Sequence, residues 1–149
     1  MRIADICTRC VVHVDAGASV HAAAELMRKR HVGSLVVTEE PDGGRVPIGM
    51  ITDRDIVLAV IAPGVDAGKL TVGDVMSLPL ASCNENDDLF DVIGIMRRRG
   101  IRRLPVLNDK GSLAGLVSVD DVYAVLGTQL QELSQALTRE QVREMETRT

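Results

Sequence analysis

Aromatic residues are almost absent from this chain, which has one tyrosine, one phenylalanine and no tryptophan among 149 residues. Proteins that bind single-stranded nucleic acid rely on aromatic side chains that stack on the bases. The formal net charge of −4 also disfavours a general binder of polyanions. We therefore expect no nucleic-acid partner, and a core built from valine, leucine, isoleucine, alanine and methionine.

Long apolar runs and a disulfide framework are also missing. No run approaches the roughly 20 apolar residues that span a bilayer, and Asp5 lies where a signal peptide would be apolar. Three cysteines, an odd number, favour reduced thiols over paired ones. We expect a cytoplasmic protein without a membrane partner.

What the chain does have is an internal repeat, which is settled before any other inference because it determines the architecture. Residues 49–56 (GMITDRDI) return as residues 115–122 (GLVSVDDV). An offset of 69 residues relates Met27 to Met96, and the offset is 66 from Gly49 to Gly115. The difference falls in a loop, where duplicated units normally diverge.

Each copy predicts the order strand, helix, strand, strand, helix from apolar periodicity and helix-start signals. The first copy has predicted strands at 11–14, 34–38 and 47–51 and helices at 20–30 and 52–61. The second has strands at 80–82, 103–107 and 113–117 and helices at 88–99 and 119–126.

We expect an α/β fold of two pseudo-symmetric units packed sheet to sheet, because a unit of about 60 residues buries little surface alone. Unit 1 covers residues 1–62, a linker covers 63–70 and unit 2 covers 71–127. A C-terminal helical tail over 128–149 follows, in which Leu130, Leu133 and Leu137 recur at helical spacing.

The repeated segments allow two interpretations. Thr52 with Asp55, and Ser118 with Asp121, have the spacing of capping boxes, in which a hydroxyl and an acid satisfy backbone donors at a helix start. The same geometry suits a ribonucleotide, since a helix N-terminus attracts phosphate and a carboxylate one turn along can accept from ribose hydroxyls.

The two Gly-h-h-Thr/Ser-x-x-Asp segments, the strand RLPVL at 103–107 and the openings IADI and VGDVM resemble a tandem pair of CBS domains, the Bateman module, over about residues 2–127. The resemblance implies a regulatory module that binds AMP, ADP, ATP or a related adenosyl ligand. The resemblance also implies a homodimer. The apolar stripe of the tail then either extends the dimer interface or covers a groove.

The resemblance further implies roles for particular residues. Thr52 and Ser118 become phosphate contacts, and Asp55 and Asp121 become ribose contacts. The residues implied near the adenine lie on the first strand of each unit: Val12, His13, Val14, Ala81, Ser82 and Cys83.

The two copies differ in charge. Arg54 can add a charge-assisted phosphate contact, whereas Asp120 at the equivalent position repels phosphate if it faces the ligand. We therefore expect the Thr52/Asp55 site to bind phosphate better. Arg102 and Arg103, which replace Gly33 and Ser34 of the first copy, are further candidate phosphate contacts.

Two other functions remain open at this stage. One is a protein-interaction or dimerisation scaffold that keeps the capping boxes but binds no nucleotide. The other is a metal or redox protein built on the C-x-x-C of Cys7 and Cys10, which the repeat disfavours because these cysteines align with ordinary positions. No arrangement of histidine, acid and nucleophile indicates an enzyme, so we expect no catalytic residue, no catalytic cofactor and no bound metal.

Overall fold

Two small three-stranded sheets form the framework of the computed structural model, which describes residues 1–78 and 80–148. Unit 1 contains β1 (His13–Asp15), α1 (Val20–Arg30), β2 (Ser34–Glu39), β3 (Val46–Thr52) and α2 (Asp53–Ile56). Unit 2 contains β4 (Cys83–Asn84), α4 (Leu89–Arg99), β5 (Arg103–Leu107), β6 (Leu113–Ser118) and α5 (Val119–Thr147), with the single-turn helix α3 (Val72–Val75) before it. The prediction of a pseudo-symmetric α/β fold with a C-terminal helix is confirmed.

Both sheets have the same topology. The middle strand pairs in parallel with the first strand of its unit and antiparallel with the third, in the orders β1-β2-β3 and β4-β5-β6. The middle strands are the most buried, as shown by the run from Leu35 to Thr38 in β2. A strand enclosed on both faces is expected to be apolar throughout rather than alternating.

The first helix of each unit buries one apolar stripe against its sheet. In α1 the buried residues are Val20, Ala23 and Met27, and Ser19 caps the helix by accepting the Ala22 N–H at 3.0 Å. Helix α4 repeats this arrangement with Leu89, Val92 and Met96. Each fully buried side chain of this size stabilises the fold by about 1.5–3 kcal/mol.

The segment that precedes each unit crosses to the other unit. Ile3, which is fully buried, and Cys7 pack in the core of unit 2, whereas Val72 and Met76 pack in the core of unit 1. Thr8 exchanges two backbone hydrogen bonds of 2.9 Å with Leu116 on β6. The two units are therefore held together by exchanged core residues.

The first strands begin later than the sequence predicts. Strand β1 covers His13–Asp15 rather than 11–14, and β4 covers Cys83–Asn84 rather than 80–82. The apolar residues ahead of each strand led to the error, because Val11, Val12, Leu80 and Ala81 line cavities, although the Val12 carbonyl still accepts the Val36 N–H of β2 at 3.2 Å.

The helices at the ends of the units also differ from the prediction. Helix α2 continues as a π-helical turn over Val57–Ile61. The helix predicted to end at residue 126 runs on to Thr147, so the tail is the projecting part of α5 rather than a separate element. Thr149 at the tail's end lies outside the described residues. No helix within the described residues is long and apolar enough to cross a membrane.

Candidate functional site

The Thr52/Asp55 motif forms a capping box at the start of α2. The Thr52 hydroxyl accepts the Asp55 N–H at 3.1 Å, and the Asp55 carboxylate accepts the Thr52 N–H at 2.9 Å. The Ser77 hydroxyl, from the segment that crosses from unit 2, also donates to Asp55 at 3.3 Å. The acid is thus oriented by both its own helix and the crossing segment.

The Ser118/Asp121 motif has the same geometry at the start of α5. Asp121 accepts the Ser118 N–H and the Ser118 hydroxyl, each at 2.7 Å, and Ser118 accepts the Asp121 N–H at 3.2 Å. Both motif acids therefore cap helices, as the capping interpretation requires. A carboxylate has about four acceptor positions, so neither acid is saturated by these contacts.

The motif glycines make room for the crossing segments. A Cβ on Gly115 would approach the Cys7 Sγ at 2.8 Å and the Thr8 carbonyl at 3.0 Å, and one on Gly49 would approach the Met76 Sδ at 2.7 Å. Close approach of the Thr8 backbone therefore favours glycine at position 115, whereas a Cβ at position 49 would require the Met76 side chain to move.

The Ser118/Asp121 motif opens into a cavity of about 330 Å³ that combines residues of both units. Unit 2 contributes Ser118, Asp121, Leu116 and Arg103. The wall from unit 1 and its leading segment contains Thr8, Cys10, Val11, Val12, His31, Val32, Gly33 and Ser34. A cavity whose wall combines three valines and a leucine with hydroxyls, an acid and a guanidinium suits a small ligand that is partly polar.

A second cavity, of about 300 Å³, lies where the repeat relates it to the first. Of these two cavities, the one at Ser118 and Asp121 is called the larger cavity and the other the smaller cavity. The lining residues of the smaller cavity are Met50, Ser77, Leu78, Leu80, Ala81, Arg99, Ile101 and Arg103. Thr52 and Asp55 do not line it directly, and Ser77 connects it to Asp55. Each cavity thus joins the motif region of one unit to the strand-leading segment of the other.

The three arginines that are candidate phosphate contacts lie in different surroundings. Arg103 lines both cavities. Arg102 forms an ion pair of 3.8 Å with Asp120, and both side chains are exposed. Arg54 is exposed and is in the wall of neither cavity.

These positions remove the two reasons for expecting stronger phosphate binding at Thr52/Asp55. The favourable charge of Arg54 lies outside the cavity walls, and the unfavourable charge of Asp120 is partly compensated by Arg102.

The residues predicted to lie near the adenine also fall in different places. Val12 and Ala81 line the larger and the smaller cavity respectively, whereas Ser82 is in neither wall. Val14 and Cys83 are buried in the two cores, at 9% and 5% exposure.

His13 lies in a separate small depression beside Arg30. Partial burial lowers the pKa of His13, and Arg45 lowers it further.

The cysteines are all free thiols in different environments. Burial raises the pKa of Cys83 to about 12 and also raises that of Cys7. Raised pKa values reduce the thiolate fraction on which metal binding and redox reactivity depend. Within residues 1–78 and 80–148, no group of three histidine, cysteine or acidic residues is placed to hold a metal ion.

Two further hydroxyl residues, Thr8 and Ser77, belong to the site and were missed from the sequence. Thr8 lines the larger cavity and Ser77 the smaller one. The repeat contains the signal that could have found them, since the offset of 69 residues relates Thr8 to Ser77. Both lie beside the third strand of the other unit.

The fold and the paired cavities define a class of duplicated α/β modules. The CBS domain model matches residues 3–62 and 72–127, and the chain belongs to the CBS domain family. It is 38% identical over 120 residues to the CBS domain-containing protein YhcV of Bacillus subtilis, a match that covers 80% of this chain and 81% of YhcV.

A second relative is longer. The chain is 35% identical over 112 residues to the protein MK0525 of Methanopyrus kandleri, which covers 73% of this chain and 56% of MK0525. Among solved structures, the CBS domain pair of the protein MJ0100, in complex with 5-methylthioadenosine and S-adenosyl-L-methionine, superposes with a TM-score of 0.73. It has 22% identity and covers 87% of this chain and 98% of that one. At this identity the likeness shows the fold alone.

Proposed function

We propose that the chain is a regulatory module that binds an adenine nucleotide or a related adenosyl ligand. The observation that carries the proposal is the larger cavity, where Ser118, Asp121 and Arg103 share the lining with Val11, Val12 and Val32, which form the apolar part of the wall. The hydroxyl, the carboxylate and the guanidinium match phosphate, ribose and further phosphate respectively, and the apolar wall matches a flat base.

The proposed pose follows from the chemistry of these groups. The ribose hydroxyls donate to Asp121, which lines the cavity and accepts from Ser118 through one carboxylate oxygen. The first phosphate lies by the Ser118 hydroxyl at the start of α5, where the helix dipole favours an anion. The adenine lies against Val12 and Val32, so unit 1 holds the base while unit 2 holds the sugar and phosphate.

A second, weaker site is proposed at the smaller cavity. Ala81 and Ile101 supply the apolar contact there, and Arg99 supplies a cation beside Arg103. Asp55 and Thr52 contact the ribose and phosphate once the Ser77 hydroxyl turns away from Asp55. The Ser118 hydroxyl must likewise turn from Asp121 to donate to a phosphate in the larger cavity, so the weaker affinity proposed for the second site rests on Thr52 and Asp55 lying outside its wall.

The ligands of a solved CBS domain pair support the choice of ligand class. The CBS domain pair of MJ0100 was crystallised with two adenosine-containing ligands, 5-methylthioadenosine and S-adenosyl-L-methionine. These ligands share the adenosine group with AMP, ADP and ATP but carry no phosphate. The part of the proposal that rests on this chain's own residues is the phosphate contact by Ser118 and Arg103.

The proposed action is regulatory rather than catalytic, and takes place in the cytoplasm, where free thiols persist. A ligand held by both units stabilises one arrangement of the pair relative to another. By that differential affinity it shifts a conformational or partner-binding equilibrium.

We also propose that the module is a homodimer that uses the projecting part of α5. Leu130, Leu133 and Leu137 are 68%, 62% and 59% exposed, and their spacing of three and four residues is that of a coiled-coil seam. A projecting helix without partners is marginal in water. Sedimentation of the full chain should give a dimer, with Leu133→Glu shifting it to monomer and Gln135→Glu, on the opposite helix face, leaving it unchanged. A monomeric unaltered chain contradicts this part.

A specific observation keeps the scaffold function as a second candidate. Both motif acids already hydrogen-bond to their own helix starts, and the seam leucines are exposed, so the fold and dimer surface need no ligand. A thermal-shift panel with adenosine, AMP, ADP, ATP and GTP separates the two functions. The sensor predicts saturable stabilisation by adenine ligands that is weaker with GTP, whereas the scaffold predicts an unchanged melting temperature with all five.

A further inference from the structure

Arg103 lies where the two cavities meet. It begins β5, and its backbone pairs with that of Ser118 on β6. It lines both the larger and the smaller cavity. Its side chain is therefore adjacent to the motif hydroxyl on one side and to the Arg99 and Ala81 wall on the other.

The Arg103 guanidinium also has no protein partner among residues 1–78 and 80–148. Its neighbour Arg102 is held by Asp120, whereas no hydrogen bond or ion pair involves the Arg103 side chain. The equivalent residue of the first copy is Ser34, which is neutral and lines the larger cavity alone. Arg99 adds a cation to the smaller cavity alone, whereas Arg103 is a cation common to both cavities.

A single guanidinium cannot serve two anions equally. It carries one charge and five N–H donors in a fixed plane. A phosphate that enters from one cavity takes up the charge and part of the donors. A second phosphate that enters from the other cavity then finds the guanidinium donors already committed to the first phosphate.

We propose that Arg103 makes the two cavities antagonistic toward phosphorylated ligands, an inference that rests on the proposed nucleotide-binding function. A phosphorylated ligand in one cavity weakens binding of the second by about tenfold, within the range of roughly 5–150-fold that is typical of coupling between sites. Adenosine, which has no phosphate, fills both cavities independently.

Calorimetric titration of the full chain with ADP and with adenosine measures this coupling. The variants Asp55→Ala and Asp121→Ala each retain one site and give the affinity of that site alone. In the unaltered chain, the second ADP should bind about tenfold more weakly than these single-site affinities predict. The second adenosine should bind as they predict. Melting of each ligand-free variant establishes that it is folded.

Arg103→Ser copies the residue found at the equivalent place in unit 1, so it fits an exposed first position of a strand. It should weaken the first ADP and abolish the antagonism while leaving adenosine binding unchanged. Arg97→Ser, which removes the same charge from the groove between α4 and α5, is the matched control and should keep the antagonism.

The outcomes separate this inference from the function on which it rests. Two ADP molecules that bind as the single-site variants predict, or antagonism that survives in Arg103→Ser, overturn the coupling and leave the nucleotide sensor intact. Failure of the unaltered chain to bind either ADP or adenosine overturns both.

Discussion

Replacement of Asp55 by alanine distinguishes a carboxylate that only caps a helix from one that also binds ribose. The side chain accepts the Thr52 N–H at 2.9 Å and the Ser77 hydroxyl at 3.3 Å. Alanine removes both contacts and leaves the Thr52 cap on the backbone N–H of residue 55. From the worth of capping interactions we expect a loss of about 1 kcal/mol in the free energy of unfolding. In a domain of this size, that lowers the melting temperature by about 2–4 °C.

The chain contains a matched control for this variant. Thr71 and Asp74 form a capping box at the start of α3 with nearly the same geometry, since Asp74 accepts the Thr71 N–H at 2.9 Å. Asp74 lies in neither motif and lines neither cavity. Asp74→Ala therefore removes a capping acid without removing a proposed ribose contact.

Binding of ADP separates the two variants. A charge-assisted hydrogen bond contributes about 1.5–3 kcal/mol, so Asp55→Ala should weaken binding at its site by about tenfold or more. Asp74→Ala should leave both affinities unchanged, as measured by calorimetry on folded protein. If the two variants weaken ADP equally, or if Asp55→Ala leaves ADP binding intact, the motif acid is a cap and the ribose contact is refuted.

Three further predictions concern stability and reactivity. Gly100→Ala should lower the free energy of unfolding in urea by about 1 kcal/mol, because Gly100 ends α4 with a positive φ of 64°. His31→Gly should raise the free energy of unfolding, because His31 ends α1 with a positive φ of 55°. If Gly100→Ala stabilises the protein or His31→Gly destabilises it, the backbone argument is wrong. Iodoacetamide at pH 8 should label Cys10 in the native protein and Cys83 only after unfolding, because burial raises the pKa of Cys83 to about 12; equal labelling rates refute this. The helix N–H groups that Asp88 caps hold its pKa below the ordinary range. The stability that the charged Asp88 contributes is therefore fully present above the ordinary aspartate pKa and is lost as pH falls through the lowered pKa. Asp88→Asn should make the free energy of unfolding fall less steeply at acid pH. An unchanged fall in stability at acid pH would contradict this role of Asp88.

Much of the fold could be predicted because the repeat and the local signals agree. The helix over 20–30 was predicted with the bounds that the structure shows, since Ser19 caps it and its apolar spacing is regular. The continuous α5 could not be predicted from local signals, because Gly127 and the polar residues after it indicate the end of a helix. One glycine costs a helix only about 1 kcal/mol, and the hydrogen-bond ladder runs through it.

The candidate site was only partly predictable. The motif hydroxyls and acids were identified because their spacing has a local meaning at a helix start. The pairing of cavities was not, since Val12 of unit 1 faces Asp121 of unit 2 only after the leading segments cross. That crossing depends on the glycine at each motif and on core exchange by Ile3 and Val72, which no local pattern encodes.

A crystal structure of the full chain with bound ADP tests the central claim most directly. The account predicts ADP in the larger cavity, with ribose hydroxyls about 2.5–3.0 Å from the Asp121 carboxylate, a phosphate at Ser118 and Arg103, and adenine against Val12. Crystals grown with saturating ADP in which this cavity holds no nucleotide, or in which the ribose contacts neither motif acid, would contradict it.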